Sequence, residues 1–172
     1  SNLQQVEWKN SINPATDPQT GLPIPNTYVP LFIAMSQDGN GPPGDQILNG
    51  LTPLPSEMSI GATWLPDLAN KVGAVMGQEL SALGINMYFG PSLDVLDSPS
   101  TSPTNDLGTS VFGGDPYWVS VMGSAYISGL HAGSQNRMLV IAKHFPGSGS
   151  ADRSNEQEVA TVRKSLDQLK KI

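Results

Sequence analysis

Cysteine is absent from all 172 residues, which excludes disulfides and thiolate metal sites. That absence fits either redox environment, so the compartment stays open. No apolar run approaches the roughly 20 residues that a membrane-spanning helix needs. Charge is sparse as well: nine basic residues against fifteen acidic ones give a net charge of −6, and no basic run occurs. Nucleic acid and anionic membranes are therefore poor partners. GxGxxG, P-loop, nucleophile-elbow and HExxH patterns are missing too, which removes several common enzyme classes.

Proline and glycine are plentiful, at 15 and 18. Pro14, Pro18, Pro23, Pro25 and Pro30, with Asn, Asp and Gly between them, predict an irregular N-terminal arm over residues 1–29. The remainder, 30–172, reads as one domain of α/β type. Its length suits a single core but falls short of the ~250 residues of a complete eight-stranded α/β barrel.

Three strand-loop-helix units follow the arm. The first has a strand over 31–35, a Gly/Pro-rich loop over 37–63 and a helix over 66–83, whose stripe is Leu68, Val72, Val75, Met76, Leu80 and Leu83. The second has a strand near 85–89, a loop rich in Ser, Thr, Pro and Asp over 91–114, and a helix from about 115 to 131. Val119, Met122, Tyr126, Ile127 and Leu130 form its stripe, with Asp115 as N-cap and Pro116 in the first turn. His131, in its last turn, suits the helix dipole. The third has a strand over 138–143, too uniformly apolar to alternate and hence predicted to be buried on both faces. A loop to about 154 and a helix carrying Val159, Val162, Leu166 and Leu169 complete it, with Ser154 and Gln157 fitting a capping box. The long connections all lie after strands, where parallel α/β architectures place their sites.

The densest chemistry lies in Lys143-His144-Phe145-Pro146-Gly147, at the junction of the third strand with a Gly/Ser loop. An ammonium offers three donors and an imidazole one donor and one acceptor, a set suited to vicinal hydroxyls. The same pair equally fits a lysine capping a barrel rim and a histidine satisfied by backbone. Phe145-Pro146 is a candidate cis peptide.

Four segments together resemble the N-terminal barrel domain of glycoside hydrolase family 3, the β-glucosidases and β-N-acetylglucosaminidases. They are Lys143–Gly147, the run from Pro30 to Gly39, the run from Leu80 to Val95, and the run from Val111 to Trp118. The resemblance implies a TIM-type (β/α)8 barrel, present here as three units, with a first strand expected before residue 1 and four more after Ile172. It implies that Lys143 and His144 bind a sugar and that no metal or organic cofactor is required. The nucleophilic aspartate would lie beyond Ile172, leaving these 172 residues inactive alone.

Several positions depart from the family pattern. Ser36 stands where an aspartate is usual, with the carboxylate two residues later at Asp38, which is either a substitute sugar ligand or a turn residue. Ser110 stands where an arginine is common and cannot supply a bidentate charged grip. Ser148 and Ser154-Asn155-Glu156 replace the histidine and the Asp-His dyad of the β-N-acetylglucosaminidases, leaving Glu156 as a weak acid/base candidate or a solvated helix residue. Asp94, in the family's Pro-x-x-Asp pattern, either orders its loop or binds substrate.

The leading expectation is thus part of a retaining glycosidase acting on terminal β-linked glucose or N-acetylglucosamine. The alternatives are an inactive carbohydrate-binding or scaffold barrel, and a self-associating half-barrel. The expected partners are a carbohydrate, together with the remaining barrel fragment or a second copy of the chain.

Overall fold

The computed structural model describes residues 2–42, 44–96, 109–149, 151, 159, 161, 162 and 164–170. Ser1–Ile33 and Ala34–Ile172 are two separate compact units. In the first, helix α1 (Asn2–Ile12) occupies part of the stretch predicted to be irregular. Its residues include Leu, Gln, Glu and Lys, all good helix formers, and no proline interrupts them before Pro14. The returning arm is clamped by Gln4, whose Nε2 donates to Leu31 O at 2.7 Å and whose Oε1 accepts from Leu31 N–H at 3.1 Å. Trp8 packs edge-on against Tyr28 at 5.5 Å.

The second unit holds a three-stranded, all-parallel sheet in the order β1 (Ala34–Met35), β2 (Met87–Ser92), β3 (Leu139–Lys143). Only Ala34 and Met35 of the predicted first strand pair with β2, opposite Met87 and Tyr88. The second strand runs to Ser92 rather than ending at Phe89, past a register irregularity between Phe89 and Ser92 that contains a cis Gly90–Pro91 bond.

Helix α2 (Glu57–Gly61) is short and opens on Ser56, whose hydroxyl accepts from Ser59 N–H. Helix α3 (Pro66–Ala82) starts with proline in its first turn and ends in a Schellman arrangement. Gly84, at φ +85°, donates its N–H to Ser81 O, and Ile85 N–H reaches Leu80 O. Helix α4 (Pro116–Gly133) begins as predicted, with Asp115 accepting from Trp118 N–H at 3.0 Å.

The core face of α4 follows the predicted stripe through Val119, Met122, Tyr126 and Leu130, whereas that of α3 follows it only in part. On α3 the core side is Ala69, Val72, Gly73, Met76, Gly77 and Leu80, while Leu68, Val75 and Leu83 are exposed. The reason is close approach: Gly73 and Gly77 lie against the carbonyls of Tyr126 and Leu130, and Gly129 and Gly133 of α4 lie against those of Asn70 and Ala74. Small residues choose the contact face, and the larger apolar ones flank it. Tyr88, Val119, Met122, Tyr126 and Leu130 fill the space between helices and sheet.

Two expectations for the third unit need correction. Strand β3 is not buried on both faces: Leu139 and Ile141 are 45% and 40% exposed, and among the described residues β3 pairs with β2 alone. The last helix is only α5 (Leu166–Leu169), started by a capping box between Ser165 and Gln168. Val159 is exposed outside any helix and Val162 bridges to Ala151. The predicted Ser154/Gln157 capping box lies outside the described residues, as does Glu156.

Candidate functional site

Lys143 is the last residue of β3, and its ammonium reaches Asp38 Oδ1 and Oδ2 at 3.2 and 3.0 Å. Asp38 sits at the exit of β1, in a loop folded around another carboxylate: Asp45 Oδ1 accepts from Gly39 N–H and its Oδ2 from Gly41 N–H, both at 2.7 Å. A Cβ on Gly44 would stand 2.8 Å from Asn40 Oδ1 and 3.0 Å from Asp38 Oδ2, so a side chain here would press on both. Burial raises the pKa of Asp38, and the neighbouring ammonium only partly offsets that cost.

His144 follows Lys143, and the two are joined by a cis peptide bond; Phe145–Pro146 is also cis. His144 Nδ1 lies 2.6 Å from Asp94 Oδ2. Asp94, at the exit of β2, is 1% exposed, and both carboxylate oxygens are occupied. Oδ1 accepts from Ser148 N–H, and Oδ2 accepts from Ser92 Oγ–H at 3.2 Å besides facing His144. Burial by itself would raise the pKa of Asp94. The hydrogen bonds from His144 and from Ser148 N–H, the imidazole's charge and the bond from Ser92 outweigh it, and the carboxyl lies below its usual range. The bond to Asp94 in turn raises the pKa of His144 against the opposing effect of burial. An ionised carboxylate only accepts, so the proton shared in this contact is carried by Nδ1, and Nε2 is left as the imidazole's second polar atom.

The structure therefore brings Lys143, His144, Asp38 and Asp94 into one cluster built as an ammonium-carboxylate pair and an imidazole-carboxylate pair at the ends of three adjacent strands. An open cleft of about 460 Å³, lined by Lys143, His144, Phe145, Gly147 and Ser148 among others, lies alongside. Ser36 turns its hydroxyl to Phe89 O at 3.2 Å. Ser110 receives a hydrogen bond from the Asn40 amide, so the position where an arginine was expected ties the second loop to the first. His131 stays in the last turn of α4.

Sequence reasoning missed Glu57. This first residue of α2 is 2% exposed, and its Oε1 accepts from Ser92 N–H at 2.9 Å. Its Oε2 is buried and has no hydrogen-bond partner among the described residues. Burial pushes its carboxyl up to about 8; the bond from Ser92 and the charge of Lys143 act against that, while Asp38 and Asp94 add to it. The available signal was a carboxylate embedded in Leu-Pro-Ser-Glu-Met-Ser-Ile, a segment otherwise without charge. Among the described residues, no group of three or more His, Cys, Asp or Glu could hold a metal ion.

Residues 12–172 match the family profile described as glycosyl hydrolase family 3 N terminal domain. A β-N-acetylglucosaminidase/β-glucosidase of Cellulomonas fimi is 34% identical over 134 residues, which cover 78% of this chain and 22% of that protein. A probable β-glucosidase M of Emericella nidulans is 36% identical over 126 residues, 73% of this chain and 14% of that protein. A solved family 3 β-N-acetylglucosaminidase from Paenibacillus sp. str. FPU-7 superimposes with a TM-score of 0.75 at 32% identity, over 84% of this chain and 26% of its own. The chain thus spans about a quarter or less of the length of these three relatives.

Proposed function

Because the chain belongs to glycoside hydrolase family 3 through that family's N-terminal domain, we propose that it supplies the sugar-gripping segment of a retaining glycosidase that removes terminal β-linked glucose or N-acetylglucosamine. Its three parallel strands would be consecutive staves of a (β/α)8 barrel, and the cluster lies at their C-terminal ends, where such barrels hold their sites. The observation that carries this reading is the double pairing Lys143–Asp38 and His144–Asp94. It fixes an ammonium and an imidazole side by side at a cleft, with their donors oriented before any ligand arrives. Asp38 and Lys143 together offer acceptors and donors to neighbouring hydroxyls. Asp94, fully engaged inside the protein, orients His144 rather than touching sugar.

Retention requires two carboxyl groups flanking the scissile bond, one as nucleophile and one as acid/base. Asp38 and Asp94 are committed to the pairs, so both catalytic groups would come from residues outside this cluster. A sugar-binding barrel without hydrolysis is the second reading, favoured by Ser110 being bound to Asn40 where a charged grip was expected.

Assay of the whole protein with chromogenic β-glucoside and β-N-acetylglucosaminide separates the two. Hydrolysis of either substrate, reduced about 10- to 100-fold in kcat/KM by Lys143→Ala and by His144→Ala, is the expected result, the size of one or two lost charge-assisted hydrogen bonds. Binding of the sugars without turnover would establish the second reading instead.

A further inference from the structure

Outside the two pairs, one buried titratable side chain among the described residues is joined to them by hydrogen bonds, that of Glu57. Strand β1 pairs with β2 only at Met87 and Tyr88, so further along that side β2 has no strand partner among the described residues. Leu93 N–H turns the other way, to Lys143 O. The Ser92 N–H on the unpaired side is taken by Glu57 Oε1 at 2.9 Å. From Ser92 the connection continues through its hydroxyl to Asp94 Oδ2 at 3.2 Å, and from the same oxygen to His144 Nδ1 at 2.6 Å. Glu57 itself is held by an ordered setting. Ser56 caps its helix, Ile60 is buried, and Gly61 sits against the Phe112 carbonyl, where a Cβ has no room.

We propose that Glu57 is a positioning residue for His144: by fixing the backbone of Ser92 at the end of β2 it sets Asp94, and Asp94 sets the orientation and tautomer of the imidazole. The proposal rests on the reading that His144 faces the sugar only for its functional meaning; the geometry itself involves no ligand. Glu57 has to act as an acceptor of one N–H, and a neutral carboxyl does this as well as an ionised one. The charged and titratable groups around it are Asp38, Asp94 and Lys143, with the phenols of Tyr88 and Tyr126 on the core side. A neutral Glu57 leaves Asp94 as the sole anion on the chain that ends at His144. An amide in its place would keep the acceptor, and a methyl group would remove it.

The test reads the two ring nitrogens of His144 by long-range proton–nitrogen NMR over a pH titration without sugar, its signals assigned by their loss in His144→Asn. In the wild type and in Glu57→Gln, Nδ1 is expected to carry the proton, and the two midpoints should coincide. In Glu57→Ala the tautomers are expected to mix and the midpoint to drop toward ~6.5, the value of an unpaired imidazole. His131, in the last turn of α4, should not change in any variant.

If Glu57→Ala does not fold, Ser92→Ala, which keeps the N–H and removes the hydroxyl link, is expected to lower the His144 midpoint in the same direction. Unchanged His144 signals in a folded Glu57→Ala or Ser92→Ala overturn the proposal, and so does a Glu57→Gln protein that behaves like Glu57→Ala. Since no sugar is present, these outcomes are independent of whether the whole protein hydrolyses a glycoside.

Discussion

Burying a carboxylate costs more than burying the acid, so the folded chain keeps a proton on Glu57 up to about pH 8, whereas an unfolded chain releases it near 4.5. Between those values the folded state binds the extra proton, and stability falls as pH rises, at most by on the order of 1 kcal/mol per pH unit. Asp38 acts with the same sign: its raised pKa gives stability that is full below 3.8 and lost as pH rises through the folded value. His144 does likewise, contributing below 6.5 and losing that contribution as pH climbs through its raised folded pKa. Asp94 has the opposite sign: its lowered pKa gives stability above 3.8 that disappears as pH falls through the folded value. Three groups therefore favour mild acid and one sets the acid limit. Urea unfolding across pH 4 to 9 is expected to show greatest stability near pH 5 and a decline toward 8. Glu57→Gln, which cannot ionise, should flatten much of that decline; an unchanged slope in this variant would mean that Glu57 is ionised in the folded chain at neutral pH. Little of this was legible beforehand. Lys143 and His144 could be chosen from their motif, but Glu57 falls in a stretch read as a Gly/Pro-rich loop, and its role appears only once α2 forms and β2 is placed over it.

Among the elements, the pair α3 and α4 shows how far an apolar pattern reaches. Both helices were found from their periodicity, and the Asp115-Pro116 start of α4 was readable because a cap and a first-turn proline are local chemistry. The buried face was readable on α4 but only in part on α3, where Val72, Met76 and Leu80 point inward as predicted while Leu68, Val75 and Leu83 point outward. The contact is made by glycines, whose role is visible only once the partner backbone is present. Two effects of opposite sign meet at Gly129. In an open helix, alanine in place of glycine would add about 1 kcal/mol of stability. Here its Cβ would run into Asn70 O and stand 2.8 Å from Ala74 N, both backbone atoms that cannot rotate away. Overpacking of this kind typically costs about 1–3 kcal/mol, so Gly129→Ala is expected to lower stability in thermal unfolding, with Ser120→Ala, on an exposed position of α4, as the control. A stabilised Gly129→Ala would show that the helices separate at little cost. The last helix failed for a related reason: Val159 and Val162 have helical spacing, but the capping box at Ser165 and Gln168 starts the helix later.

For the molecule as a whole, the decisive quantity is what the sheet leaves uncovered. Parallel sheets are ordinarily covered on both faces, and closing a barrel takes about eight strands of matched tilt and shear. Three parallel strands satisfy neither condition: Leu139 and Ile141 on β3 are partly open to solvent, and among the described residues β3 pairs with β2 alone. Its other edge has the N–H and C=O spacing that another strand can read. Residues 1–172 as an isolated polypeptide are therefore expected to associate, and light scattering should give a mass above the 18.2 kDa of one chain. Ile141→Lys places a charge on the open face of β3 and is expected to return the mass toward that of one chain, as edge charges do in natural sheets. A compact 18.2 kDa monomer from the unaltered polypeptide would count against this, and would mean that the edge is covered by residues outside those described. The same argument bears on function. Asp38, Asp94 and Lys143 lie at the ends of three neighbouring strands, so forming the paired cluster needs only those three in register. Hydrolysis needs two further carboxyl groups, one on each side of the scissile bond. The isolated polypeptide is thus expected to lack turnover with either chromogenic substrate, even where NMR shows the His144–Asp94 pair formed.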